Sequence, residues 1–231
     1  MNKDENTFVS YLTKIGEVAL KVVLIALLIL LIQLPLSFTV GYMQKGSSQD
    51  LLVPAFIFLG TAGLLCGVWL LYKKVSYDLP VQWTSKDIMK DIGLFFAMRI
   101  LVALISIIFI SGQTKNDTAI ASFIPKDKSS LYFILFVLIL MFVGPILEEL
   151  VFRGILINLF FKDRFKWLAI LVSGLVFSSM HLSDSIASFL LYFLMGAIFA
   201  FAYIRRRNIR DSILIHILNN MLAAYALLFL I

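Results

Sequence analysis

Residues 131–161 read LYFILFVLILMFVGPILEELVFRGILINLFF, a run in which Glu148, Glu149 and Arg153 are the only charged side chains. It exceeds the roughly 20 residues a helix needs to cross about 30 Å of hydrocarbon. Lipid offers the backbone no hydrogen-bond partners, so the run must be helical. A charged side chain at that depth costs about 3 kcal/mol on insertion scales, so these three should face a bundle interior or pair. Arg153 follows Glu149 by four residues, on one helical face and in the favourable acid-before-base order, which predicts that the two pair. Glu148 is turned about 100° from Glu149 around the helix and has no local counter-charge. Gly144-Pro145 just upstream removes a backbone hydrogen bond and predicts a kink near Glu148.

The remainder of the 231 residues has the same character. With 61% hydrophobic and 15% charged residues, the chain is excluded from the usual soluble globular class. A single cysteine, Cys66, excludes an intramolecular disulfide and a multi-cysteine zinc site. Seven apolar runs are candidate spans: Val18–Val40, Leu51–Tyr72, Ile92–Ile110, Leu131–Phe161, Trp167–His181, Ile186–Ile204 and Ile213–Ile231. The expected fold is all-α, a polytopic membrane helix bundle of about seven transmembrane helices with six or eight as alternatives. Residues 1–231 are expected to form one membrane domain, with 1–130 the variable N-terminal spans and 131–231 the motif-bearing core. The fifth run is short and the fourth is long. Before Gln33-Leu34-Pro35 no cleavage site of the A-x-A kind occurs, so the first run reads as a retained span.

The formal net charge of +6 lies in short clusters between apolar runs. That distribution implies a lipid bilayer as partner and no nucleic acid. Alternating the seven spans collects Lys3, Lys14, Lys21, Lys73, Lys74, Lys86, Lys90, Lys162, Arg164, Lys166, Arg205, Arg206, Arg207 and Arg210 on one side, against Lys45, Lys115, Lys126 and Lys128. The positive-inside rule then predicts a cytoplasmic N-terminus. Arg99 and Arg153 remain within apolar runs. Arg99 reads as snorkelling from near Asp91 in preference to joining the Glu148 network. The connection 111–130, with Gln113, Lys115, Asn116, Asp117, Pro125 and Asp127, reads as a solvated loop in preference to a lid. Gly60, Gly63 and Gly67, and Gly196 with Ala200, have the spacing of small residues at helix contacts.

Of the four glutamates, only Glu148 and Glu149 lie inside an apolar run, and both histidines, His181 and His216, lie within or at the ends of such runs. Asn220 follows His216 by four residues, one turn along the same face. A glutamate, two histidines and an asparagine from three helices are the groups a hydrolytic site requires. Glutamate accepts a proton from water, histidine relays protons or ligates a metal, and histidine with asparagine donates hydrogen bonds to a developing oxyanion.

Glu148-Glu149-Leu150-Val151-Phe152-Arg153, then Phe177-x-x-x-His181, then His216-x-x-x-Asn220 resemble the EExxxR, FxxxH and HxxxN motifs of the CAAX protease and bacteriocin-processing family of intramembrane endopeptidases. All three motifs stand in the expected order within the C-terminal hundred residues or so. The resemblance implies a peptide hydrolase of the membrane, with its active site among the last four spans and a membrane-associated peptide or protein as substrate. It implies that Glu148 and His181 activate the attacking water, that His216 and Asn220 stabilise the oxyanion, and that Glu149 and Arg153 support them. A three-ligand zinc or other divalent metal site on Glu148, His181 and His216 is the alternative chemistry. The lack of H-E-x-x-H, with each histidine on its own helix, favours the metal-free route.

Other readings are a catalytically silent regulator or scaffold of a membrane partner and a proton-coupled transporter. Compact loops and short termini suggest a bacterial plasma membrane. One depth does not close. At about 1.5 Å per residue, Glu148 and His181 each lie about 20 Å from the Lys162–Lys166 loop, but His216 starts only about 9 Å beyond Arg210. Either the Lys162 loop protrudes, or the Arg205–Arg210 turn sinks into the bundle, or the span count differs.

Overall fold

The computed structural model describes residues 3–45, 51–110, 112–125 and 128–229. Ser111, Lys126, Asp127 and the end of the last apolar run, Leu230 and Ile231, lie outside these. Among the described residues there are eight helices and no strand: α1 (Lys3–Gln44), α2 (Leu52–Val75), α3 (Ser85–Phe109), α4 (Lys115–Ser122), α5 (Leu131–Phe160), α6 (Lys166–Ser179), α7 (Ile186–Arg206) and α8 (Ile209–Phe229). Helices α1, α2, α3, α5 and α7 are long and apolar enough to span a membrane. Their outward faces carry Leu20, Phe56 and Ile107 at 71%, 71% and 81% exposure, large apolar side chains suited to lipid. The protein is an integral membrane helix bundle.

Helix α5 is the axis of the bundle. Every residue from Glu149 to Asn158 is buried, and Leu150, Val151, Phe152, Ile155 and Ile157 join side chains of α1, α2, α3, α6, α7 and α8 in one apolar core. Upstream of Pro145 the helix widens into a π-helical turn over Ile139–Val143, and the Gly144 N–H bonds the Ile139 carbonyl five residues back. Pro145 supplies no N–H, and its ring crowds the preceding turn, so a wider turn is the less costly way to continue. Gly144 fits because a Cβ there would stand 3.0 Å from the Ile139 oxygen. A second π turn covers Leu150–Ile155. Within it Gly154 admits the Tyr72 ring, whose Cδ2 would lie 2.6 Å from any added Cβ.

The fifth apolar run is shorter than read. Helix α6 has 14 residues, about 21 Å, and stops at Ser179, so His181 stands just beyond its end. Helices α6 and α7 form a close hairpin in which Gly174 and Gly196 meet. A Cβ on Gly174 would come within 3.1 Å of the Phe193 carbonyl oxygen, and one on Gly196 within 2.9 Å of Phe177 and 3.1 Å of Gly174.

The turn between α7 and α8 is enclosed by the bundle, which agrees with the second of the three ways out of the depth conflict. Arg207 takes a left-handed conformation (φ 53°), ends α7, and leaves only Asn208 before Ile209 begins α8. Arg207, Asn208, Asp211 and Ser212 are buried, whereas Lys162–Lys166 are exposed. Arg205 pairs with Asp91 (2.8 Å) and Asp211 (3.1 Å), and Arg206 with Asp87 (3.1 Å). Arg207 donates to Asn158 Oδ1 (2.6 Å) and to the Lys162 carbonyl (3.2 Å), and so reaches from the sunken turn to the exposed loop. Asn158 donates to the Tyr203 hydroxyl, which donates to Asp78 (2.5 Å); the Tyr72 hydroxyl donates to Asp78 as well. Three arginines that charge counting assigns to a loop are thus built into the bundle wall.

Replacing Gly196 by alanine is expected to destabilise the protein by about 1–3 kcal/mol through overpacking. Gly60→Ala, where nothing lies within 4 Å of an added Cβ, should cause no loss. Thermal unfolding of both variants in one detergent checks this.

Candidate active site

The π turn over Leu150–Ile155 keeps Glu149 and Arg153 in contact at i,i+4 while both are fully buried. Arg153 Nη1 donates to Glu149 Oε1 at 2.9 Å, the pairing that the spacing predicts. Arg153 Nη2 donates to the Gly196 carbonyl at 2.7 Å. The guanidinium also lies 4.8, 5.3 and 5.7 Å from the ring centroids of Phe177, Phe199 and Phe152. Burying two charges is costly unless geometry and further hydrogen bonds compensate. Here the carbonyl and three aromatic faces contribute that compensation.

The same Glu149 oxygen accepts from His216 Nδ1 at 2.8 Å, and His216 stacks on Phe199 with centroids 4.5 Å apart. Its Nδ1–H is thereby committed to Glu149, and its Nε2 lies 3.8 Å from Glu148 Oε2. Glu148 is not wholly without a counter-group, as the helix alone suggested. Its Oε2 is nevertheless buried with no hydrogen-bond partner among the described residues.

His181 is held from another direction. Its Nδ1 lies 2.9 Å from the Phe177 carbonyl, which fixes the proton on Nδ1 and leaves the lone pair on Nε2. The ring stacks on Tyr192 (4.5 Å between centroids), and the Tyr192 hydroxyl is 2.8 Å from Thr114 Oγ1. Phe177 lies beside both histidines, at 4.4 Å from His181 and 5.6 Å from His216.

Asn220 satisfies a consequence of Pro145. In the π turn the Leu140 carbonyl would receive the N–H of residue 145, which proline lacks, and Asn220 Nδ2 donates to it instead at 2.9 Å. An amide nitrogen carries two hydrogens, so one remains. Asn219 Nδ2 donates to Asn220 Oδ1 (3.3 Å), and Asn219 Oδ1 accepts from Arg99 Nη1 (3.1 Å).

These groups border one cavity of about 490 Å³, whose wall includes Glu148, His181, His216, Asn219, Asn220 and Arg99. Glu149 and Arg153 lie behind it. Two readings are corrected here. The Arg99 head turns to the cavity and Asn219 rather than snorkelling toward the interface near Asp91. The connection 111–130 contains α4, capped by the Thr114 hydroxyl accepting from the Asp117 N–H, and Gln113, Thr114, Asn116, Asp117, Ile120 and Phe123 roof the cavity. Asn219 went unnoticed although its position three residues after His216 puts it on the same face. Tyr192 and Thr114 carry no sequence signal of their own.

Among the described residues no three histidine, cysteine, aspartate or glutamate side chains form a metal-binding group. Both histidines hold Nδ1 on a protein acceptor and leave Nε2 free, which suits either proton transfer or ligation. Against a zinc site stands only that Glu148, His181 and His216 are not gathered as three ligands in this arrangement.

Arg153→Ala leaves Glu149 as a buried charge stripped of its main partner, so a loss of about 3–5 kcal/mol is expected. Lower thermal stability in detergent and lower membrane abundance are the readouts; unchanged stability would contradict the pairing's importance.

Comparison with known proteins locates the likeness in this region. Residues 130–222 match the family model described as type II CAAX prenyl endopeptidase Rce1-like. Over 86 residues the chain is 35% identical to the "Putative membrane peptidase YdiL" of Bacillus subtilis, covering 37% of this chain and 34% of that protein. It is 26% identical over 200 residues to the UPF0177 protein YaiH of Lactococcus lactis, covering 83% and 78% of the two chains. An uncharacterized 24.3 kDa protein of Escherichia coli is 29% identical over 160 residues, 66% of this chain and 70% of that one. The match to the Bacillus protein thus spans about a third of that relative's length. No solved structure matches the chain.

Proposed function

We propose that the chain is an intramembrane endopeptidase that hydrolyses a peptide bond of a membrane-associated peptide or protein, a reading supported by the match of residues 130–222 to the type II CAAX prenyl endopeptidase Rce1-like family model. The observation that carries this reading is the unpartnered Glu148 Oε2 on the wall of a cavity that also presents His181, His216 and Asn220. A polar cavity of that size holds water, and a carboxylate oxygen left without a protein donor is where a water would bond.

In this mechanism Glu148 takes a proton from the water as its oxygen attacks the scissile carbonyl carbon. His181, whose Nε2 carries the free lone pair, orients that water and shares in moving the proton to the leaving amine. The carbonyl oxygen becomes an oxyanion and receives a hydrogen bond from the second N–H of Asn220; His216, whose Nδ1–H is held by Glu149, adds a second one from Nε2 only in its doubly protonated form. Glu149 and Arg153 do not meet substrate. They hold the His216 ring and fix which nitrogen faces Glu149. The N-terminus is assigned to the cytoplasm from the distribution of basic residues. We place the chain in a bacterial plasma membrane, a reading that its bacterial relatives support.

Glu148→Ala and His181→Ala are each expected to lower cleavage by at least about a hundredfold, the scale of a lost acid-base group, at near-normal abundance. The test compares peptide termini in membranes of cells carrying wild type or either variant at matched expression. Termini produced by wild type alone are expected; identical termini in all three would overturn the protease reading.

A further inference from the structure

Five arginines are at least half-enclosed by the bundle: Arg99, Arg153, Arg205, Arg206 and Arg207. Four of them have a carboxylate within 4.0 Å, and Arg99 has none among the described residues. Its one hydrogen bond among the described residues goes to the neutral Asn219 amide oxygen at 3.1 Å. A guanidinium has five N–H donors and stays protonated, so most of its binding capacity is unspent. Arg99 also opens onto the cavity that contains Glu148, and Asp117 on the wall of that cavity acts on it through space without pairing within 4.0 Å. A guanidinium that lines a cavity with most of its donors unspent is complementary to an anion brought in by a ligand.

We propose that Arg99 is an anion-binding subsite that takes a carboxylate of the substrate peptide and thereby selects which peptides are presented to Glu148. This rests on the protease reading of the site. The distances suit such a role. Asn219 stands three residues beyond His216 on α8, about 4.5 Å along the axis, and Arg99 lies one hydrogen bond further. An extended peptide advances at most about 3.5 Å per residue, so the carboxylate falls within a few residues of the bond held between Glu148 and His216. Planar carboxylates match the guanidinium fork in bidentate fashion, which a lysine in its place could not reproduce. The anion is either the free carboxyl end of the peptide or an aspartate or glutamate side chain near the cleavage point. Arg99 lies outside residues 130–222, so this selectivity would belong to the N-terminal spans.

The test measures binding without cleavage, in purified Glu148→Ala protein in lipid nanodiscs. Three ten-residue alanine-leucine peptides, acetylated and carrying an uncharged fluorophore, serve as probes: one with a free carboxyl end, one with an amidated end, and one amidated with a glutamate three residues from the end. At least one carboxylate probe is expected to bind about tenfold tighter than the neutral amide, as one charge-assisted contact implies. Which one does so identifies the source of the anion. Arg99→Gln added to Glu148→Ala should remove the discrimination while keeping a donor to Asn219, and Arg99→Lys should restore part of it. Equal affinity for all three probes, including no binding of any, overturns the proposal, as does discrimination that survives Arg99→Gln. Failure of the protease reading would appear instead in the membrane termini, which this measurement does not use.

Discussion

A fully buried carboxylate and guanidinium, Glu149 and Arg153, sit at the axis of a membrane bundle, and their need for compensation organises what surrounds them. Arg153 requires a bare carbonyl on α7, available because Gly196 lets that helix approach closely, and it requires aromatic faces, supplied by Phe152, Phe177 and Phe199. Glu149 requires a second donor, and His216 provides it. Each requirement fixes a catalytic candidate indirectly. Phe177 is wedged between Gly196 and the two histidines, and the orientation of His216 follows from the carboxylate behind it. A charge pair that contributes little net stability in such a setting can still impose a single arrangement on its neighbours.

At the other end of α7 and α8 a different network sets the depth of the site. The turn at Arg207-Asn208 is drawn inward by Asp91, Asp211, Asn158 and, through Tyr203, by Asp78. Because α8 starts from this sunken turn, His216 reaches the level of Glu148 although it lies only nine residues beyond Arg207. The ion pairs of a surface turn would be worth little; enclosed as these are, they position the last helix.

The helical bundle, most helix ends to within a few residues, and the Glu149–Arg153 contact were legible from hydropathy and from i,i+4 spacing, which are local properties of the chain. Helices α1 and α3 start well before the expected Val18 and Ile92, and five helices rather than seven among the described residues are long and apolar enough to span. The other misreadings and omissions share a cause, since each depends on what another helix supplies. Pro145 announces a lost hydrogen bond, but not that the helix widens into a π turn there, nor that Asn220 of α8 takes the Leu140 carbonyl. Arg99 looks like a snorkelling side chain while Asn219 is known only as a position 120 residues away. The roofing helix α4 is polar and short, and only Tyr192 meeting Thr114 shows that it belongs to the cavity. The roles of Glu148, His181, His216 and Asn220 were suggested by motif order, and the geometry adds which atoms of each are already engaged.

The brevity of α6 has a consequence for the surrounding lipid. A helix of 14 residues, about 21 Å long, falls roughly 10 Å short of a typical hydrocarbon layer of about 30 Å. The bilayer beside the α6–α7 hairpin must therefore thin, or its headgroups and water must dip to meet the helix end at Ser179. His181 follows directly on that end, so the depression brings the aqueous boundary down to the cavity without a channel through the bundle. On the protease reading, hydrophobic mismatch along one short helix is a route by which water reaches the cavity, and the acyl-chain length of the host membrane is then a variable of the reaction.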